Sequence, residues 1–183
     1  FTIATAANAT DFGYDFNNDR IDGLGLSDGT TGWFIGGKTG SADSTGSTTI
    51  EYITLASGSD SSDWGDLLYG FAKVAGASNL NRFVCCGGRN VNSSAVNIIQ
   101  YFSTTTAGNA TDFGDLLNFG YQGMGASCNA DERMCMAGGY STAVSSPIED
   151  IQYIEMGTLG NASDFGDLLG NSSDANQASG NAS

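Results

Sequence analysis

Residues 108–117 read GNATDFGDLL, and close copies stand elsewhere: GNASDFGDLL at 160–169, GSDSSDWGDLL at 58–68 and ANATDFGYDF at 7–16. The stretch combines asparagines in N-x-S/T sequons, paired aspartates, an aromatic residue and a glycine. Taken alone it suits a metal loop, a sugar-attachment site, a substrate site or a structural corner. Its recurrence decides the fold, because self-similarity at a fixed period marks a repeat architecture.

Outward from the motif the whole chain repeats. Double glycines fall at Gly36-Gly37, Gly87-Gly88 and Gly138-Gly139, 51 residues apart each time. Tyr52, Tyr101 and Tyr153 each precede a motif aspartate, Asp63, Asp112 or Asp164, by 11 residues, a constancy that tolerates no insertion. The apolar segments are short, rich in β-branched and aromatic residues, and punctuated by Gly, Ser and Asn, which predicts strands rather than helices. WFI, VCC and CMA, just before the double glycines, are apolar without alternation, as expected for a strand covered on both faces. TIEYITL (49–55), IIQYFST (98–104) and DIQYIEM (150–156) alternate instead. In them Ile50/Tyr52, Ile99/Tyr101 and Ile151/Tyr153 share one face, and Glu51, Gln100 and Gln152 take the other. A third strand of small residues, GLS, GAS and GAS at 25–27, 76–78 and 125–127, suits a crowded axis where sheets converge. The turn after it is two residues longer in the third unit, beside Cys128.

The order of apolar strand, Gly-Gly, loop, Tyr-bearing strand and aromatic after a turn resembles the kelch repeat, with Trp64, Phe113 and Phe165 in the place of its tryptophan. The Tyr-to-aromatic spacing is stretched to 12 residues, a departure that bears on the outer strand and its turn. The wider pattern IxY(I/F)…GNATDFGDL…GAS…R…GG is similar to repeats in structural proteins of marine tailed phages and related environmental sequences. The resemblance implies an all-β, kelch-like β-propeller array with blades of about 51 residues: three full units plus partial units at both ends. Residues 1–170 form the array, and 171–183 are a polar Asn/Ser-rich tail that reads as the start of a further repeat. Phe1-Thr2-Ile3 aligns with Ile53, Phe102 and Ile154, inside a strand. Propellers close with about 4 to 8 blades, so closure is expected from missing residues or from other chains, with exposed strand edges favouring an oligomer or a fibre.

Composition narrows the chemistry. Twenty acidic against six basic residues give a formal charge of -14, which repels nucleic acid and anionic membrane surfaces. No apolar run approaches the roughly 20 residues of a membrane-spanning helix, so neither nucleic-acid binding nor membrane insertion is expected. Histidine is absent, which removes the commonest general base, the commonest zinc ligand and every Ser-His or Cys-His pair. Cys85, Cys86, Cys128 and Cys135 lack CxxC spacing and read as small buried residues, with adjacent Cys85 and Cys86 on opposite faces of a strand.

The motif then has three readings. As sequons, Asn8, Asn92, Asn109, Asn161, Asn171 and Asn181 are glycosylation candidates, although Asp60 replaces the asparagine in one unit, which favours a turn role. As a metal loop, Asp63, Asp66, Asp112, Asp115, Asp164 and Asp167 offer hard oxygens for calcium, but two carboxylates per loop fall short of the six to eight ligands calcium takes. As a structural corner, the aspartate caps a tight turn, the aromatic plugs the space between blades, the glycine supplies a special backbone shape, and Leu-Leu returns to the core. The corner reading is the expected one, with Arg82 and Arg133 as optional partners of the aspartates. No cofactor other than calcium is expected, and no enzyme activity.

These readings lead to a non-enzymatic structural protein of a virion, a tail fibre or decoration, or of an extracellular fibre, associating with itself or with other structural proteins. Two alternatives accompany it. One is a propeller module that binds a glycan or cell-surface receptor through the loops after each Gly-Gly. The other is a secreted, N-glycosylated fibril protein.

Overall fold

The computed structural model describes residues 19–39, 46–57, 60–79, 81–90, 94–118, 121–129 and 133–172. The expectations for Phe1–Ile3, for the sequons at Asn8, Asn92 and Asn181, and for the tail beyond residue 172 lie outside the described residues.

All described elements are strands, and they form three antiparallel blades in chain order. The first is β1 (Leu24–Ser27), β2 (Thr31–Ile35), β3 (Thr49–Thr54) and β4 (Ser62–Asp66), paired in that sequence. The second repeats it with β5 (Ala75–Ser78), β6 (Arg82–Cys86), β7 (Ile98–Ser103) and β8 (Thr111–Asp115). In the third, β10 (Gly125–Cys128), β11 (Arg133–Ala137), β13 (Ser146–Glu155) and β14 (Ser163–Ser172) follow the same order. Its β13 is long enough to pair also with β12 (Tyr140–Ser141), which pairs with β9 (Tyr121–Gln122). The first two blades keep this extra ladder as single bridges, Ile21–Lys38–Gly46 and Ala72–Arg89–Ala95.

Local chemistry sets the hairpins. At each first turn a short polar side chain folds back on the backbone. Asp28 Oδ1 accepts from Thr30 N–H (2.8 Å) and Thr31 N–H (2.7 Å), and Asn79 Oδ1 accepts from Asn81 N–H (2.9 Å) and Arg82 N–H (2.8 Å). Asn129 Oδ1 reaches Arg133 N–H at 2.7 Å across the longer third turn. At the second glycine of each pair the segment that leads into the blade's first strand passes so close that no side chain fits. A Cβ on Gly88 would stand 2.7 Å from Ala72 O, and one on Gly139 2.7 Å from Gln122 O.

Alternation along the strands divides the apolar residues between two cores, each lying between neighbouring blades. Trp33, Ile35, Ile50 and Leu67 of the first blade pack with Phe83, Cys85, Phe102 and Ala110 of the second. Val84, Cys86, Ile99, Phe113 and Leu116 of the second pack with Met134, Met136, Ile154, Met156 and Ala162 of the third. The adjacent cysteines thus enter opposite cores, both fully buried and both free thiols, as strand alternation requires. No single blade has a core of its own. Each buries its faces only because another blade lies against them.

The motif corrects one expectation. It is not a tight corner after the third strand but the fourth, outermost strand of each blade. Tyr52, Tyr101 and Tyr153 stand opposite Ser62, Thr111 and Ser163 in the ladder, and that register fixes the 11-residue spacing. Gln100 pairs with Asp112 and Ile99 with Gly114, so Phe113 is an extra residue, a β-bulge; Trp64 and Phe165 are bulged in the same way. The bulge turns the ring edge-on to the tyrosine of its own blade, at 5.0 Å for Tyr52–Trp64 and 5.8 Å for both Tyr101–Phe113 and Tyr153–Phe165. A bulged strand was not legible because its apolar content is one ring and its glycine reads as a turn.

Phe113 is 3% exposed between two blades. Phe113→Ala is expected to destabilise the chain by about 3–5 kcal/mol, read as a fall in the chemical denaturation midpoint; an unchanged midpoint contradicts its role in the core.

Candidate functional site

The most heavily constrained feature of the structure is the joint between blades, and the motif builds both of its halves. Gly65 lies on the outer strand with φ 149° and Gly114 with φ 150°. A Cβ on Gly65 would stand 2.4 Å from the carbonyl oxygen of Gly108, and one on Gly114 would stand 2.3 Å from that of Gly160. The glycine is therefore a socket for the backbone of the following blade. Gly108 N–H donates to Trp64 O (2.8 Å) and Ala110 N–H to Asp66 O (2.7 Å); Gly160 N–H donates to Phe113 O (2.9 Å) and Ala162 N–H to Asp115 O (2.8 Å).

The sequon asparagine closes the joint from the other side. Asn109 Oδ1 accepts from Asp66 N–H at 3.0 Å, and Asn161 Oδ1 accepts from Asp115 N–H at 3.0 Å. Asn109 and Asn161 are exposed side chains with a structural task, one that the carboxylate of Asp60 could also serve chemically, since it too accepts from N–H. Sequence reading assigned this residue to a local turn; its partner is in fact 43 or 46 positions away. A second polar clamp was missed as well. Gln100 and Gln152 are buried, and their Oε1 atoms accept from Leu68 N–H (2.8 Å) and Leu117 N–H (3.0 Å) where the chain leaves the preceding blade.

In the first blade the corresponding residue is Glu51, 1% exposed, which carries a charge where the others carry an amide. Arg20 neutralises it in an ion pair and also donates to Gly36 O (3.1 Å) and Thr49 O (3.0 Å). Burial lowers the Arg20 pKa from its ordinary value. A cavity of about 340 Å³, lined by Arg20, Asp22, Leu24 and Phe34 among others, lies beside this pair. The guanidinium is engaged by the three acceptors just named.

The optional partnership of Arg82 and Arg133 with the motif aspartates does not form among the described residues. Arg82 stacks on Tyr101, 4.9 Å from its centroid, and donates to Met156 O of the next blade at 3.0 Å. Arg133 stacks on Tyr153 at 4.2 Å and pairs with Glu155 at 2.7 Å. Each arginine starts the second strand of its blade, so the tyrosine on the neighbouring strand lies within reach and the outer-strand aspartates lie beyond it.

Those aspartates are dispersed. Asp63, Asp66, Asp112, Asp115, Asp164 and Asp167 are all exposed on outer strands. Asp63 Oδ1 accepts from Gly65 N–H (3.1 Å), Asp164 Oδ1 from Gly166 N–H (3.1 Å), and Asp66 Oδ1 from Thr48 Oγ1–H (3.0 Å). Among the described residues no three acidic or cysteine side chains gather as metal ligands would. Asn171 lies on β14, beyond the segment that matches the other outer strands.

No family model matches the chain, and no curated protein matches it in sequence. Solved structures of similar fold are numerous, with 134 chains matching. One of them, the structure of YjhT, is 11% identical with a TM-score of 0.67 over 82% of this chain and 53% of YjhT. The chain thus spans about half the length of that protein, and the likeness is one of fold: open, propeller-like antiparallel blades.

Two measurements check this description. Gly114→Ala is expected to cost about 2 kcal/mol or more, since it combines a disfavoured backbone with a clash against Gly160 O. Gly108→Ala, where nothing among the described residues lies within 4 Å of the added carbon, is expected to be nearly neutral. Equal denaturation midpoints for the two variants would refute the socket. Burial pushes the Cys85 thiol up to about 12, and burial together with its neighbour Cys85 raises Cys86 further. Both remain protonated and enclosed at neutral pH, so in dilute solution, where the chain is single, iodoacetamide should label the half-buried Cys128 and Cys135 first; peptide mass spectrometry after short exposure reads the order.

Proposed function

We propose that this chain is a non-enzymatic structural protein whose blades serve assembly, as a component of a virion or of an extracellular fibre. One observation carries the reading. The residues of GNATDFGDLL that invite a chemical role are engaged in joining blades: the glycine as socket, the asparagine as clamp, the aromatic as core. A site for turnover or for a dedicated ligand would set one copy of the motif apart from the others, whereas a joint has to recur with each blade.

The missing histidines and the dispersed carboxylates support the same reading, because paired-carboxylate chemistry needs two acids held at a fixed separation across a cleft. The kelch-like order of the repeat, and its similarity to structural repeats of marine tailed phages, agree with a tail-fibre or decoration role. The partners are then other copies of the chain or other structural proteins, met through sheet faces and outer strands. Calcium has no necessary part, since the joint is closed by backbone and amide groups.

Negative-stain electron microscopy of the purified chain at increasing concentration tests the proposal. Ordered rings, filaments or lattices are the expected outcome. Isolated particles that bind a defined sugar on a glycan array would instead establish the binding-module alternative.

A further inference from the structure

The face of the third blade that points away from the second carries the aromatic and the glycine of the joint, with nothing among the described residues seated on them. Residues 164–169, DFGDLL, are identical to residues 112–117, which hold the third blade on the second. Phe165 is 55% exposed where Phe113 is 3%. Among the described residues no atom lies within 4 Å of a Cβ built on Gly166, whereas the same position on Gly65 and Gly114 meets a carbonyl of the following blade. Cys135 holds the ladder position opposite Tyr153 that Val84 holds opposite Tyr101, yet it is only half-buried where Val84 is 0% exposed. Arg82 reaches across to a carbonyl of the next blade, while Arg133 pairs on its own blade with Glu155, both side chains more than 40% exposed.

The internal joints define what such a face accepts. The occupant is a small residue, then asparagine, then alanine, leading directly into a Thr/Ser-Asp-Phe-Gly strand. Its asparagine takes one outer-strand N–H and its backbone gives two N–H groups to outer-strand carbonyls. Residues 8–13, NATDFG, are identical to residues 109–114, which seat the second blade on the first. We infer that the open face of the third blade docks residues 7–13 of a second copy of this chain, so that copies join head to tail. The inference rests on the assembly reading proposed above and names its partner and contact.

Within one chain only five residues separate residues 7–13 from the first described residue, a reach of about 18 Å at full extension, whereas a second copy meets the face without that limit. The match takes in 82% of this chain and 53% of the longer YjhT chain, so the shared fold accommodates more chain than these three blades. The contact between copies is heterologous, one surface meeting a different one, which extends until it closes as a ring or runs on as a filament. A charge of -14 per copy opposes it, so screening by salt should tighten the association.

Light scattering after size exclusion, over a range of concentration and salt, tests the inference when coupled to alkylation of Cys135. The expected result is a mass that rises with concentration and with salt, with Cys135 protected in the larger species. Phe165→Asp alters an exposed residue, so its circular dichroism should match the parent while its mass falls to one chain and Cys135 becomes reactive. Because that variant keeps its own residues 7–13, adding it to the parent should shorten the assemblies. Asn8→Ala should weaken association about threefold to tenfold through loss of one hydrogen bond. Assemblies that survive Phe165→Asp, or that leave Cys135 reactive, overturn this face as the contact and leave assembly by another surface standing. A single-chain mass under every condition overturns both the contact and the assembly reading, and Cys135 protected in that single chain means that its own residues cover the face.

Discussion

The structure depends on one close approach, the backbone of each following blade resting on the motif glycine of the blade before it. At Gly65 and Gly114 the neighbouring carbonyl occupies the place of a side chain, and the two flanking N–H groups bond to carbonyls on either side of the glycine. This contact brings the blades near enough for their facing side chains to form cores. Held an ångström or two further apart, the rings of Trp64 and Phe113 would no longer fill the gap, and the dispersion contacts that hold the cores would weaken steeply.

Polar groups then set the register of one blade on the next. An apolar interface between sheets slides readily, but a buried glutamine oxygen that has given up water must find its donor. Gln100 and Gln152 find theirs in the chain leaving the preceding blade, and Asn109 and Asn161 find theirs on its outer strand. The first blade keeps the arrangement with different chemistry. Glu51 puts a charge at the glutamine position, and burying it is tolerable because Arg20 is buried against it with two further carbonyl acceptors. Exchanging an amide for an ion pair at one of three equivalent places marks that blade as distinct within an otherwise uniform array.

Much of this was legible in the chain. The 51-residue period, the three inner strands of each blade, the alternation that sends Cys85 and Cys86 to opposite sides, and the small residues of the innermost strand all follow from local pattern. The outer strand was not legible, because a bulge hides its alternation and a glycine that looks like a turn is needed for contact with another blade. By charge alone the arginines are optional partners of the aspartates. They stack on tyrosines because the ladder sets the tyrosine beside them, and an aromatic face holds a guanidinium without removing all of its water.

What the sequence by itself determined is whatever repeats: the period, the strand content and the fixed Tyr-to-Asp spacing, since each reflects a requirement met within one unit. Only the tertiary structure decided the task of GNATDFGDLL, because its partners lie about 45 residues along the chain and are reached by packing, not by proximity in sequence. It also distinguished identical copies. Phe113 and Phe165 occupy the same sequence, but one is enclosed and the other exposed, and the difference is whether a further blade lies against it.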